Sequence, residues 1–214
     1  MPTMNYKRFF ATQREFDKKF QQVPKDERIL KKFVALSSEV GETLNEKPSV
    51  FKYWSKKQLP AAHKNAEVYA TVYQAEPIYP EVDMREIILN EISDCWHYIL
   101  SLGNELGVSE QAIPMLEKYG PVDSEKSEAR LFMDFSARCA EVYNTWIMFV
   151  DMKNKDTHFK MDPIHSPNML LSSYILFVYN FMQIVGKLGY SSEEFENAYY
   201  EKNGINLERQ VNGY

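Results

Sequence analysis

Apolar residues recur along this chain at steps of three and four over long windows, while strand-like alternation is scarce. The pattern predicts helices over roughly 5–22, 26–46, 84–106, 109–118, 124–152, 168–188 and 191–203. Pro24-Lys25-Asp26 opens the second, and Gly103 with Gly107 marks the end of the third. Ser191 and Glu194 stand at capping-box spacing, which places a helix start there. The fold class is all-α, a helical bundle or a pair of packed helical lobes. Two stretches break the periodicity. Residues 55–83 hold Pro60, Pro77 and Pro80, with room for an additional helix over 61–75; residues 153–167 hold Pro163 and Pro167 and read as a connection between later helices.

At 214 residues the chain is long enough for a single domain, 1–214, with a real core. A 44% hydrophobic and 26% charged composition excludes disorder for the chain as a whole. Thirty acidic residues against 25 basic ones give a net charge of −5, which argues against nucleic-acid binding, because phosphate contacts supply most of that affinity. An acidic protein still binds a phosphorylated small molecule where a metal ion bridges the two. The N-terminus carries charges and no apolar leader segment, and the longest apolar stretch, 169–185, is interrupted by Ser172, Ser173, Asn180 and Gln183. That stretch is expected as a core helix and not a membrane span. Cys95 and Cys139 lack CxxC spacing and suit a reduced, cytoplasmic protein.

Candidate chemistry begins with carboxylates. Glu39, Glu42 and Glu46 share one helix face, opposite an apolar side formed by Phe33, Leu36, Val40 and Leu44. Alone they read as a solvated acidic face. Glu91 and Asp94, again three apart, sit among Ile87, Ile88, Leu89, Ile92, Trp96, Ile99 and Leu100. A helix apolar on nearly every side is usually buried, and ionised carboxylates there need a compensating cation. The cation is either a basic side chain, Arg85 or a remote lysine, or a divalent metal held by four carboxylates on two facing helices. An oxygen-only ligand set favours Mg²⁺, with Mn²⁺ as a substitute.

His97 reads first as a hydrogen-bonded bundle or pocket residue, and the histidines and cysteines form no zinc motif. Near the C-terminus, Lys202, Asn206 and Arg209 fall at steps of four and three. They align to bind an anionic oxygen cluster if the helix continues through Gly204, and otherwise belong to a frayed tail.

These blocks, in this order, resemble the dimeric all-α dUTPases within the all-α nucleoside triphosphate pyrophosphohydrolases. Gln13 and Asp17 in FFATQREFDKKF are similar to the family's opening helix. EVGETLNE followed by FKYWS supplies Glu39, Glu42, Asn45 and Trp54, and EISDCWHYILSLGNELG supplies Glu91, Asp94 and His97. AYYEKNGINLERQVNGY matches a family tail of the form K-x3-N-x2-RQ-x2-GY, and its ending is also similar to phage-encoded members.

The resemblance implies Mg²⁺-dependent hydrolysis of dUTP to dUMP and pyrophosphate by water attack on the α-phosphorus, which sanitises the nucleotide pool. Glu39, Glu42, Glu91 and Asp94 would be the catalytic metal ligands, with Glu39 also the general base. Gln13, Trp54, Asn45 and His97 would border the uracil site. Lys202, Asn206, Arg209 and Tyr214 would contact phosphates or close over the nucleotide. A homodimer is implied, with sites near the subunit interface. Two departures stand out: Gly41 replaces the family's usual alanine, and the long separation of Glu42 from Glu91 makes 55–83 resemble an insertion. The alternatives are a dCTPase/dUTPase or broader dNTP pyrophosphohydrolase, and a helical regulator that grips a protein partner through 55–83.

Overall fold

The computed structural model describes residues 4–54, 59–73, 76, 83–154 and 165–211. Among these, eight α-helices occur and no strand: α1 (Tyr6–Asp17), α2 (Lys25–Glu46), α3 (Ala61–Tyr73), α4 (Met84–Leu106), α5 (Ser109–Leu116), α6 (Glu128–Asn154), α7 (His165–Lys187) and α8 (Ser192–Val211). Helix starts follow local chemistry. Asp83 accepts hydrogen bonds from the backbone N–H groups of Arg85 and Glu86 at the head of α4, and Gly107 closes that helix at φ 75°. At α8 the capping box closes in both directions, Ser191 N–H to Glu194 at 2.8 Å and Glu194 N–H to Ser191 Oγ at 3.2 Å.

Several boundaries differ from the periodicity: the first helix, predicted over 5–22, ends at Asp17 and gives way to a 3₁₀ turn over Lys18–Phe20, and the one predicted to reach 118 ends at Leu116. The predicted helix at 124 begins at Glu128, where Ser127 Oγ accepts the Arg130 N–H. The one predicted at 168 begins at His165, because Pro167 falls in its first turn, where a missing N–H breaks no helical bond. Helix α8 continues through Gly204 to Val211, so the tail is helical and not frayed over these residues.

Helix α4 is the central element: it packs along α2 and also meets α1, α5, α7 and α8, while α6 and α7 form the other long pair. Trp96 of α4 stacks on Phe181 of α7 at 5.7 Å and 1°, and Phe9 of α1 meets the same indole edge-on at 5.7 Å. All three rings are buried, each contributing about 1.5–3 kcal/mol by leaving water. Gly103 permits this packing, since a Cβ there would overlap the Tyr174 hydroxyl and the Phe10 ring. The Asn168–Lys187 part of α7 is long and apolar enough to span a membrane, but 67% of its most apolar window is buried within the protein. It packs as the core helix that its interrupting polar residues suggest.

Candidate active site

Burial of one side of α4 against α2 brings their polar positions face to face. Glu39 from α2 and Glu91 and Asp94 from α4 each offer a carboxylate oxygen, all within 4.8 Å of one another. Glu42, one turn beyond Glu39, is more exposed, and all four carboxylates line one cavity of about 730 Å³. That volume is in the range of small-molecule sites. Across it stand Lys202, Asn206 and Arg209 from α8, aligned as their spacing predicts.

The cluster is electrostatically under-compensated. Burial, followed by the charges of Asp94, Glu42 and Glu91, pushes Glu39 up to about 7. Burial and then Asp94 raise Glu91. Lys202 pairs with Asp94 at 2.6 Å, yet burial still leaves Asp94 above its ordinary value. The remote lysine expected as a partner is therefore present. Arg85 instead pairs with Glu194 at 2.8 Å and caps the Gly189 carbonyl. Among the described residues, Glu39 and Glu91 form no ion pair. An all-oxygen donor set with excess negative charge fits a hard divalent cation, which would lower all three pKa values.

The other end of the cavity holds a polar network. Gln13 Oε1 faces His97 Nδ1 at 2.8 Å and accepts from the Tyr199 hydroxyl at 3.2 Å, while Gln13 Nε2 donates to Asp17 at 3.1 Å. Asp17 also accepts from Ser101 Oγ. Burial and the nearby Lys202 charge lower His97 to about 3, so the imidazole is neutral. Two turns further along α4, Glu105 receives Arg28 through two bonds at 2.7 and 2.9 Å and Lys32 at 3.0 Å. Burial alone would raise Glu105; the hydrogen bonds from Arg28 and Lys32 outweigh it and hold the carboxyl below its usual range.

The structure thus gathers Gln13, Glu39, Glu42, Glu91, Asp94, His97, Lys202, Asn206 and Arg209 around one cavity. Asn45 is exposed in the last turn of α2, and Trp54 is 65% exposed against Phe51 and Tyr53; neither lines it. Tyr214 lies outside the described residues. Arg28, Lys32 and Ser101 also line the cavity but escape the sequence motifs. Their partners are 73 to 84 residues away, so no local spacing announces them.

Comparison with known families places the chain. The family model described as dUTPase matches residues 5–72 and 80–214, nearly the whole chain. Neither curated proteins nor solved structures give a significant match. The matched stretches include every cavity residue named above, on helices of the all-α type: the chain belongs to the all-α dUTPase family and hydrolyses dUTP.

Proposed function

We propose that the reaction is Mg²⁺-dependent attack of water on the α-phosphorus of dUTP, releasing dUMP and pyrophosphate, with Mn²⁺ as a substitute ion. The observation that carries this reading is the convergence of Glu39, Glu91 and Asp94 within 4.8 Å, in a cavity that Lys202 and Arg209 of α8 also line. Glu39, Glu42, Glu91 and Asp94 would hold the metal, whose chemistry is to polarise phosphate oxygens and acidify the attacking water. Glu39 is the candidate general base, being the carboxylate drawn closest to neutrality by its surroundings. Lys202, Asn206 and Arg209 bind the phosphates, and the two cations offset charge building on the leaving group. The physiological role is removal of dUTP from the nucleotide pool, in the reducing cytoplasm that suits free Cys95 and Cys139.

A homodimer belongs to the same reading. Asn45 and Trp54 stand outside this chain's cavity, as residues would that complete a pocket with a second copy. The family match is interrupted between residues 72 and 80, which supports an added segment within 55–83 and gives a regulatory protein a place to bind.

The test is pyrophosphate release from dUTP, dCTP, dTTP and UTP, with Mg²⁺ and then with EDTA. Metal-dependent release from dUTP alone is expected. Release from dCTP as well would broaden the substrate class. Release undiminished by EDTA would refute the metal cage, and no release from any of the four would favour a helical binding protein.

A further inference from the structure

The polar network at the base end of the cavity has a direction. Asp17, 7% exposed, offers acceptor oxygens to Gln13 Nε2, and this fixes which way the Gln13 amide points. The flipped amide would place Oε1 against the Asp17 carboxylate. With Nε2 committed to Asp17, Oε1 is turned to His97 and Tyr199. Burial raises the Tyr199 hydroxyl far above its ordinary pKa, so it remains a donor to that oxygen. An amide oxygen 2.8 Å from Nδ1 can only accept, so the imidazole proton sits on Nδ1. Nε2 is then a bare lone pair. It is buried, in a side chain 6% exposed that forms part of the cavity wall, and it has no hydrogen-bond partner among the described residues. Tyr199 and Phe16 hold the ring plane, with centroids 4.4 and 6.2 Å from the imidazole.

We propose that Asp17 and Gln13 are positioning residues that lock His97 in its Nδ1–H form, making Nε2 an acceptor that reads a ring N–H of the base. Uracil carries hydrogen on N3; cytosine presents a lone pair there. The locked imidazole satisfies the first and opposes the second with two facing acceptors. Selectivity therefore originates in Asp17, whose carboxylate need not touch the base, and is transmitted through one amide and one ring. Gln13 acts on the base at second hand, its carbonyl being already used by His97 and Tyr199. The inference rests on the dUTP reading, with His97 one turn beyond Asp94 on α4 and so next to the carboxylate cluster.

Two measurements test it. Long-range ¹H–¹⁵N spectra of the wild-type protein, assigned with His97→Gln, should show neutral His97 protonated at Nδ1, with the Nε2 resonance moving to a hydrogen-bonded position on addition of dUMP. Asp17→Ala and Gln13→Leu should release the tautomer and lower the dUTP/dCTP ratio of kcat/KM by about tenfold, mainly through KM for dUTP. A wild-type His97 protonated at Nε2 overturns the proposal while leaving dUTP hydrolysis intact, and so does an unchanged substrate ratio in both variants. A wild-type protein that does not hydrolyse dUTP overturns the underlying reading, and the proposal with it.

Discussion

Replacing Glu39 by Gln should make the metal-free protein more stable and the enzyme inactive. The carboxyl is raised from 4.5 to about 7, by burial first and then by Asp94, Glu42 and Glu91. At 1.36 kcal/mol per pH unit, its ionisation costs the native state about 3.4 kcal/mol. Glu39 is half-buried, and solvent screening reduces that to about 1.5–2 kcal/mol. The native state binds this proton more tightly than the unfolded chain, so metal-free stability falls as pH rises from 4.5 towards 7. Above pH 7 the cost is complete; below 4.5 it vanishes. Urea unfolding of Glu39→Gln and wild type in EDTA, at pH 8 and pH 4.5, measures the difference. Expected is a gain of about 1.5 kcal/mol at pH 8 that disappears at pH 4.5, together with loss of pyrophosphate release in Mg²⁺. A variant no more stable than wild type at pH 8 would refute the cost that burial and the neighbouring carboxylates impose on ionised Glu39.

Other perturbations probe the remaining parts. Lys202→Ala with Arg209→Ala should weaken nucleotide binding and turnover while circular dichroism stays helical; unchanged kinetics would remove α8 from the phosphate site. Glu105→Ala leaves Arg28 and Lys32 at the cavity wall without their shared carboxylate, and should cost about 1.5–3 kcal/mol in denaturant unfolding. Gly186→Ala pushes a methyl into the backbone of Val122 and should lower stability by about 1–3 kcal/mol, seen as a reduced Tm, with the residual folded enzyme still turning over dUTP.

Much of this fold was legible because helices advertise themselves by period. The two carboxylate pairs could be placed on α2 and α4 from spacing, and the α8 start from Ser191 and Glu194. What spacing cannot carry is which remote side chain meets which. Asp94 finds its cation in Lys202, and Arg85, nine residues away on the same helix, turns to Glu194 because both lie at the α4 and α8 starts. The Arg28–Glu105–Lys32 network was invisible for the same reason: α2 and α4 have to pack before those charges become neighbours. Gly103 reads in sequence as a helix-ending signal, yet it sits inside α4, where contact with Tyr174 and Phe10 excludes any larger residue.

The three tryptophans are distributed in a way that gives the protein an optical label at each depth. Trp96 is fully enclosed, Trp146 nearly so, and Trp54 stands 65% in solvent between Phe51 and Tyr53. Iodide, which does not enter a packed interior, will therefore extinguish the long-wavelength share of the emission and leave the core indoles bright. The quenchable fraction follows Trp54 alone, so a titration of protein concentration or of a candidate partner reads occupancy of that ledge without any added dye. The residual emission, from Trp96 and Trp146, reports core packing in the same cuvette.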